Sequence, residues 1–148
     1  MSAPSTVWKG AGRRIHMQEV GLRDGLQMEK TFVPTEDKIA LCNALSAAGL
    51  SKIEVTSFTS PTAIPALRDA EIVKREITRR AGTVYTALVP NVRGAERAIE
   101  ALTDELNLVM STSETHNLAN LRMTREQSFA SLAQVVATAQ AAVFTCRR

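Results

Sequence analysis

The chain has 148 residues, 45% of them apolar and 22% charged, with 18 basic against 15 acidic side chains and a formal charge of +3. That is ordinary globular composition, which excludes a disordered, collagenous or coiled-coil chain, and at this length one hydrophobic core forms without disulfides or a structural metal. The uncharged stretch over residues 127–146 carries Ser128, Ser131, Gln134, Thr138 and Gln140, too polar to cross a roughly 30 Å hydrocarbon layer.

Residues 1–13 read as a flexible polar arm, and a first strand follows over 14–20, where Ile15, Met17 and Glu19 alternate with His16, Gln18 and Val20. A loop opens at Gly21. After Pro34, Thr35 is expected to cap a helix with Glu36 and Asp37 in its first turn, Leu41, Leu45 and Ala48 on its buried face, and Gly49 as its stop. The second strand, over 52–58, is rich in β-branched residues at Ile53, Val55 and Thr56. A charged helix is expected over 66–80 and a third strand over 83–89, with Pro90 ending it and Asn91 placed to cap the next helix. Ala95, Ala98, Ile99 and Leu102 mark the buried stripe of that helix. The fourth strand covers 105–110, and the polar run 111–120 reads as its exit loop. Thr124 and Gln127 make a capping box, after which Phe129, Leu132, Val136, Ala139 and Val143 mark the face of a final helix.

Strand starts about 30 residues apart match the size of a βαβ repeat. Two architectures fit: a small doubly wound sheet, or part of an eight-fold β/α barrel, of which four units make half. In both, ligands bind where the parallel strands end. The loop there with the most chemistry is Glu19-Val20-Gly21-Leu22-Arg23-Asp24-Gly25-Leu26-Gln27, which sets an Arg beside an Asp on a backbone that two glycines free to turn. An aspartate suits a hard divalent cation, and a guanidinium suits oxyanion charge on a carbonyl becoming an enolate. The bland alternative is a surface ion pair.

Glu54 is a carboxylate inside an apolar strand, so it needs a cation or donors, and Arg23 is a candidate partner. Thr56, Ser57 and Ser60 carry hydroxyls toward the same strand end; Asn91 is accounted for by capping. Ser113, Glu114, His116, Asn117 and Asn120 form a last polar group, most simply a solvated loop. There is no P-loop, no G-x-G-x-x-G and no H-x-H or H-E-x-x-H. Cys42 and Cys146 belong to no paired motif, and Cys42 reads as a small core residue, so a reducing, cytoplasmic setting is expected. The arginine doublets at 13–14, 79–80 and 147–148 lack interleaved aromatics and point to neither nucleic acid nor membrane.

Residues 18–27, Ala47-Ala48-Gly49-Leu50 through Ile53-Glu54-Val55-Thr56-Ser57-Phe58, Leu88-Val89-Pro90-Asn91 and Ser113-Glu114-Thr115-His116-Asn117 together resemble hydroxymethylglutaryl-CoA lyases over about 15–142. The related isopropylmalate and homocitrate synthases carry Glu after R-D-G, whereas Leu26 stands here. The resemblance implies the amino-terminal half of a (β/α)8 TIM barrel and metal-dependent cleavage of 3-hydroxy-3-methylglutaryl-CoA to acetyl-CoA and acetoacetate, a step of leucine degradation. It implies Asp24 as a ligand of Mg or Mn, Arg23 and Glu54 as catalytic, and Arg23, Gln27 and Ser57 as contacts of the acyl-CoA substrate. The family's H-x-H pair, ligating Asn and reactive Cys loop have no counterpart here, and residues 143–148 read as an aberrant tail. The expectation is a truncated chain, inactive alone. Two alternatives stand beside it: a non-catalytic half-barrel that binds a ligand or homodimerises through its open edges, and a synthase-type relative condensing acetyl-CoA with an α-keto acid.

Overall fold

The computed structural model describes residues 17–146; the polar arm expected over 1–13, residues 14–16 of the first expected strand and residues 147–148 of the expected tail lie outside them. Three of the four expected strands form one parallel sheet: β1 (Lys52–Ser57), β2 (Val84–Val89) and β3 (Glu105–Leu108), hydrogen-bonded in that order. Within the described residues the first expected strand is one parallel bridge, in which the Glu19 N–H donates to the Lys52 carbonyl at 3.0 Å and the Glu54 N–H to the Glu19 carbonyl at 2.8 Å. The chain then turns away from the sheet at Gly21.

Five helices accompany the sheet among the described residues: α1 (Thr35–Ala47), α2 (Ala70–Glu76), α3 (Val92–Glu100), α4 (Glu114–Leu121) and α5 (Arg125–Cys146). Local signals account for several ends. Asn91 caps α3 by accepting the Gly94 N–H at 2.9 Å, and Thr124 and Gln127 exchange reciprocal bonds of 3.1 and 2.9 Å at the start of α5. Gly49, at φ +91°, takes the left-handed position past α1. Thr35, expected as the cap of α1, is instead its first residue: Pro34 holds the cap position, and the Thr35 hydroxyl donates to Asp69 Oδ2 at 2.8 Å. The expected helix over 66–80 divides into a 3₁₀ turn at Pro65–Leu67 and the short α2, which ends where Ile77 turns extended.

The polar run 111–120 is not simply a loop. Ser113 accepts the His116 N–H at 3.3 Å and starts α4. Asn117 is wholly buried: its Oδ1 accepts the Ser111 N–H at 3.0 Å, and its Nδ2 donates to Met123 O, Thr124 O and Ser128 Oγ at 2.8, 3.2 and 2.6 Å. A buried amide with every partner supplied clamps α4 onto α5.

Helix faces differ from the apolar spacing. In α1 the buried line is Lys38, Cys42 and Ser46, while Leu41 is exposed and Leu45 only half-buried. Lys38 is inside because its Nζ meets both oxygens of buried Asp69, at 2.7 and 3.0 Å, and the Ala66 carbonyl at 2.7 Å. In α3 the stripe is Gly94, Ala95 and Ala98, continued by Ala101, and Leu102 turns outward at φ +58°. Phe129 of α5 is exposed where Ser128 and Val135 are buried.

The sheet has two unlike faces. Ile53, Val55, Tyr85, Ala87 and Val89 join apolar clusters with residues of the helices, and Leu106 and Leu108 pack against them. Glu54 on β1, Thr86 on β2 and Asn107 on β3 instead bond to one another. An apolar helix-side face with a polar face opposite is unlike a doubly wound sheet, which is apolar on both sides.

Candidate active site

The site grows from a five-residue π-helical turn, Gly21–Gly25, that follows the Glu19 bridge at the carboxyl end of the first strand. Leu22 is buried with Cys42, Ile53 and Tyr85 and anchors the turn on the helix side. The N–H groups of Arg23 and Asp24 both donate to the Val20 carbonyl, at 3.0 and 2.7 Å, closing it. The glycines serve differently from what the sequence suggests, since neither Gly21 nor Gly25 has a positive φ. A Cβ at Gly21 would meet Glu19 Oε1 at 2.8 Å, the same oxygen that accepts the Gly21 N–H, and a Cβ at Gly25 would meet nothing.

From this turn the Arg23 guanidinium reaches Glu54. Its Nε and NH2 both lie 2.9 Å from Glu54 Oε2, and NH1 donates to Asp24 Oδ1 at 2.6 Å. Exposure grades across the three side chains, 3% for Glu54, 18% for Arg23 and 63% for Asp24, so the cation links a buried carboxylate to one open to solvent. The other oxygen of Glu54 accepts from Asn107 Nδ2 at 2.7 Å, and the same amide nitrogen lies 3.2 Å from Thr86 Oγ1, which also receives Gln18 Nε2 at 3.3 Å. Both oxygens of a buried carboxylate are thus held by donors.

Asn107 escaped the sequence reading, although it carries the same signal as Glu54, a polar residue between apolar ones in a strand. The structure brings Arg23, Asp24 and Glu54 together and places the remaining candidates apart. Ser57 is buried, with its hydroxyl 2.7 Å from Thr59 Oγ1 and accepting the Thr59 N–H. Gln27 lines a cleft of about 370 Å³ between segments 27–32 and 63–68, together with Lys30 and Arg68. Asn117 is structural, and His116 is exposed on α4.

Buried titratable groups also lie on the helix side. Burial pushes the Cys42 thiol up to about 11, with a small opposing pull from Lys74. Burial and the nearby Arg79 lower the Lys74 ammonium to about 8 against the opposing pull of Asp104 and Cys42; its Nζ donates to the Leu102 carbonyl at 3.2 Å. No helix among the described residues is long and apolar enough to cross a membrane.

Comparison with known proteins sets this geometry in a lineage. The family model HMGL-like matches residues 14–147. A hydroxymethylglutaryl-CoA lyase of Bacillus subtilis is 49% identical over 135 residues, which is 91% of this chain and 45% of the relative. Mouse relatives named as mitochondrial and cytoplasmic lyases are 41% and 39% identical, over 91% and 88% of this chain and 42% and 38% of their own lengths. Among solved structures, an HMG-CoA lyase from Acinetobacter baumannii in complex with coenzyme A and 3-methylmalate aligns with TM-score 0.81 at 56% identity, over 84% of this chain and 41% of that one. The Bacillus subtilis lyase structure aligns with TM-score 0.85 at 50% identity, over 87% and 43%. The chain spans less than half the length of each of these relatives.

Proposed function

This chain belongs to the HMGL-like family, with the α/β architecture of part of a TIM barrel, and from that premise we propose that it supplies the amino-terminal units of a lyase acting on 3-hydroxy-3-methylglutaryl-CoA. The observation that carries the reading is the Arg23 guanidinium, fixed on buried Glu54 in the turn where the first strand ends. In the reaction the C3 hydroxyl gives up its proton and becomes the ketone of acetoacetate as the C2–C3 bond breaks. The electron pair of that bond passes to the thioester as an enolate, which takes a proton to give acetyl-CoA. Negative charge therefore develops on the thioester oxygen.

A guanidinium carries five N–H donors. Three of those on Arg23 face Glu54 and Asp24, which leaves two for that oxygen. Donors locked before the charge appears stabilise it without reorganisation. Glu54, whose oxygens are both occupied, enters the reaction by holding Arg23. Gln27 and Ser57 are proposed as substrate contacts; Gln27 is supported by its place on the cleft beside the turn, and Ser57 by its position at the end of β1.

A divalent cation, Mg or Mn, is the proposed cofactor, with Asp24 as one ligand because its carboxylate is open to solvent beside Arg23. Among the described residues no three His, Cys, Asp or Glu side chains converge in a way that could hold a metal ion. The described residues therefore do not complete a cation site, and we propose that the 148-residue chain alone shows no turnover. A role in leucine degradation, a cytoplasmic setting and a homodimer through the open sheet edges belong to the same proposal. The setting is supported by cysteines outside any paired motif and the dimer by the edge of β3, which pairs with no second strand among the described residues.

The test is a chimera in which this chain replaces the matching portion of the Bacillus subtilis lyase. Metal-dependent acetoacetate release is expected, falling at least a hundredfold in Arg23→Gln; a folded chimera that releases none would overturn the reading.

A further inference from the structure

Lys38 of α1 and Asp69, which precedes α2, form a buried ion pair outside the Arg23 site. The Lys38 ammonium gives its donors to both Asp69 oxygens and to the Ala66 carbonyl, and Asp69 Oδ2 also accepts the Thr35 hydroxyl. The Phe32 ring centroid lies 4.2 Å from Lys38 Nζ and 3.7 Å from the Arg68 guanidinium carbon, within cation–π range of both. Residues 28–34 belong to no helix or strand, so side-chain contacts such as these tie that segment to residues 65–69. The two segments so joined are the walls of the 370 Å³ cleft, with Gln27 and Phe32 on one side and Ala66 and Arg68 on the other.

A buried ion pair is a costly way to stabilise a fold, since apolar side chains of similar volume in its place commonly leave stability unchanged or raise it. What the pair supplies is direction. Bonds of 2.7, 2.7 and 3.0 Å from one ammonium fix α1 against the turn at Pro65–Leu67, and Phe32 carries that constraint to the segment leaving the Arg23 turn. We infer that Lys38 and Asp69 are positioning residues for the reaction: acting through Phe32 on one wall and Ala66 on the other, they set the opening of the cleft in which Gln27 meets the thioester substrate. The inference rests on the functional reading above, which makes Gln27 a substrate contact. Neither side chain touches substrate, so their effect falls on binding, while the donors of Arg23 stay locked on Glu54.

The test places Lys38→Met together with Asp69→Leu in the chimera with the Bacillus subtilis lyase. KM for 3-hydroxy-3-methylglutaryl-CoA is expected to rise at least fivefold with kcat within twofold, the sign of lost uniform binding. In the full 148-residue chain the urea midpoint of the same double variant should be no lower than that of the wild type. Exchange of the Met28 and Glu29 amides on one wall and the Leu67 and Arg68 amides on the other should quicken at least fivefold, with the Glu54 amide unchanged. Phe32→Leu, which keeps the ion pair and removes the ring, should raise KM at least twofold and decides the matter if the double variant does not fold. Lys52→Met, which breaks the pair with Glu105 at the opposite ends of the strands, should leave KM unchanged. A KM indifferent to the double variant or, should that not fold, to Phe32→Leu, or a KM that rises only with a lowered urea midpoint, would overturn the inference and leave the functional reading standing. An unsubstituted chimera that folds and releases no acetoacetate overturns the functional reading instead. Coenzyme A binding to that chimera then decides the positioning role, which stands if the double variant weakens binding at least fivefold and falls if it does not.

Discussion

Arg23 and Glu54, 31 residues apart in sequence, meet through two guanidinium nitrogens that each lie 2.9 Å from one carboxylate oxygen, at the point where the first βα turn folds over β1. The pair is asymmetric. Glu54 has almost no access to water and Arg23 has some, so losing the cation costs more than losing the carboxylate. Arg23→Met is expected to lower stability by about 3–5 kcal/mol, as for one partner of a buried pair, and Glu54→Gln added to it should recover part of that loss. Urea midpoints of the two single variants and the double variant measure the coupling. Independent, additive effects would show that the contact does not stabilise the fold.

Asn107 gives a graded version of the same argument. Its Nδ2 serves Glu54 Oε1 and Thr86 Oγ1 together. Asn107→Ala leaves that buried carboxylate oxygen without its donor and should cost about 1–3 kcal/mol, less than loss of Arg23. In the chimeric enzyme the same change should lower acetoacetate release, because the anchor of Arg23 loosens while the guanidinium itself remains. An unchanged urea midpoint would show that water replaces the amide without cost.

Lys74 and Cys42 set opposing alkaline trends. With Lys74 lowered to about 8 from 10.5, the unfolded chain binds more protons than the folded one between those values, so this group makes stability rise with pH from 8 to 10.5. With Cys42 raised to about 11 from 9.0, the unfolded thiol ionises first, and this group makes stability fall from pH 9 to 11. The wild-type chain should therefore gain stability between pH 8 and 9 and change little up to 10.5. Lys74→Met should abolish the gain and expose the fall, whereas Cys42→Ala should extend the gain to 10.5. Denaturant titrations across this range decide it.

Two glycines are expected to behave in opposite ways. A Cβ at Gly94 would lie 2.9 Å from the Phe58 carbonyl oxygen and 3.0 Å from Pro90 Cδ, so Gly94→Ala must push α3 off the end of β1 and should cost about 1–3 kcal/mol. At Gly25, where nothing lies within 4 Å and φ is not positive, Ala should be neutral or stabilise by up to about 1 kcal/mol through its helix propensity. Thermal unfolding of the two variants compares them directly, and equal effects would contradict the close approach at α3.

The sequence by itself determined what is local or repetitive in this protein. The alternation of strands and helices, the caps at Asn91 and Thr124, the stop at Gly49 and the Arg23-Asp24 turn at a strand end all follow from bonds and preferences within a few residues. The pairing of Glu54 with Arg23 was legible as a candidate because a charge inside an apolar strand needs a counter-charge, and Arg23 stands in the loop at a strand end. Tertiary structure decided which face of each helix turned inward. Lys38 displaced Leu41 from the core of α1 because Asp69, on a different element, neutralised it there, and Asn117 organised a polar run into α4 because Met123, Thr124 and Ser128 came within reach. Asn107 became part of the site in the same way, through a bond across 53 residues. Periodicity shows that an element has two faces, but which polar group is stable inside depends on partners that only the folded chain brings into contact.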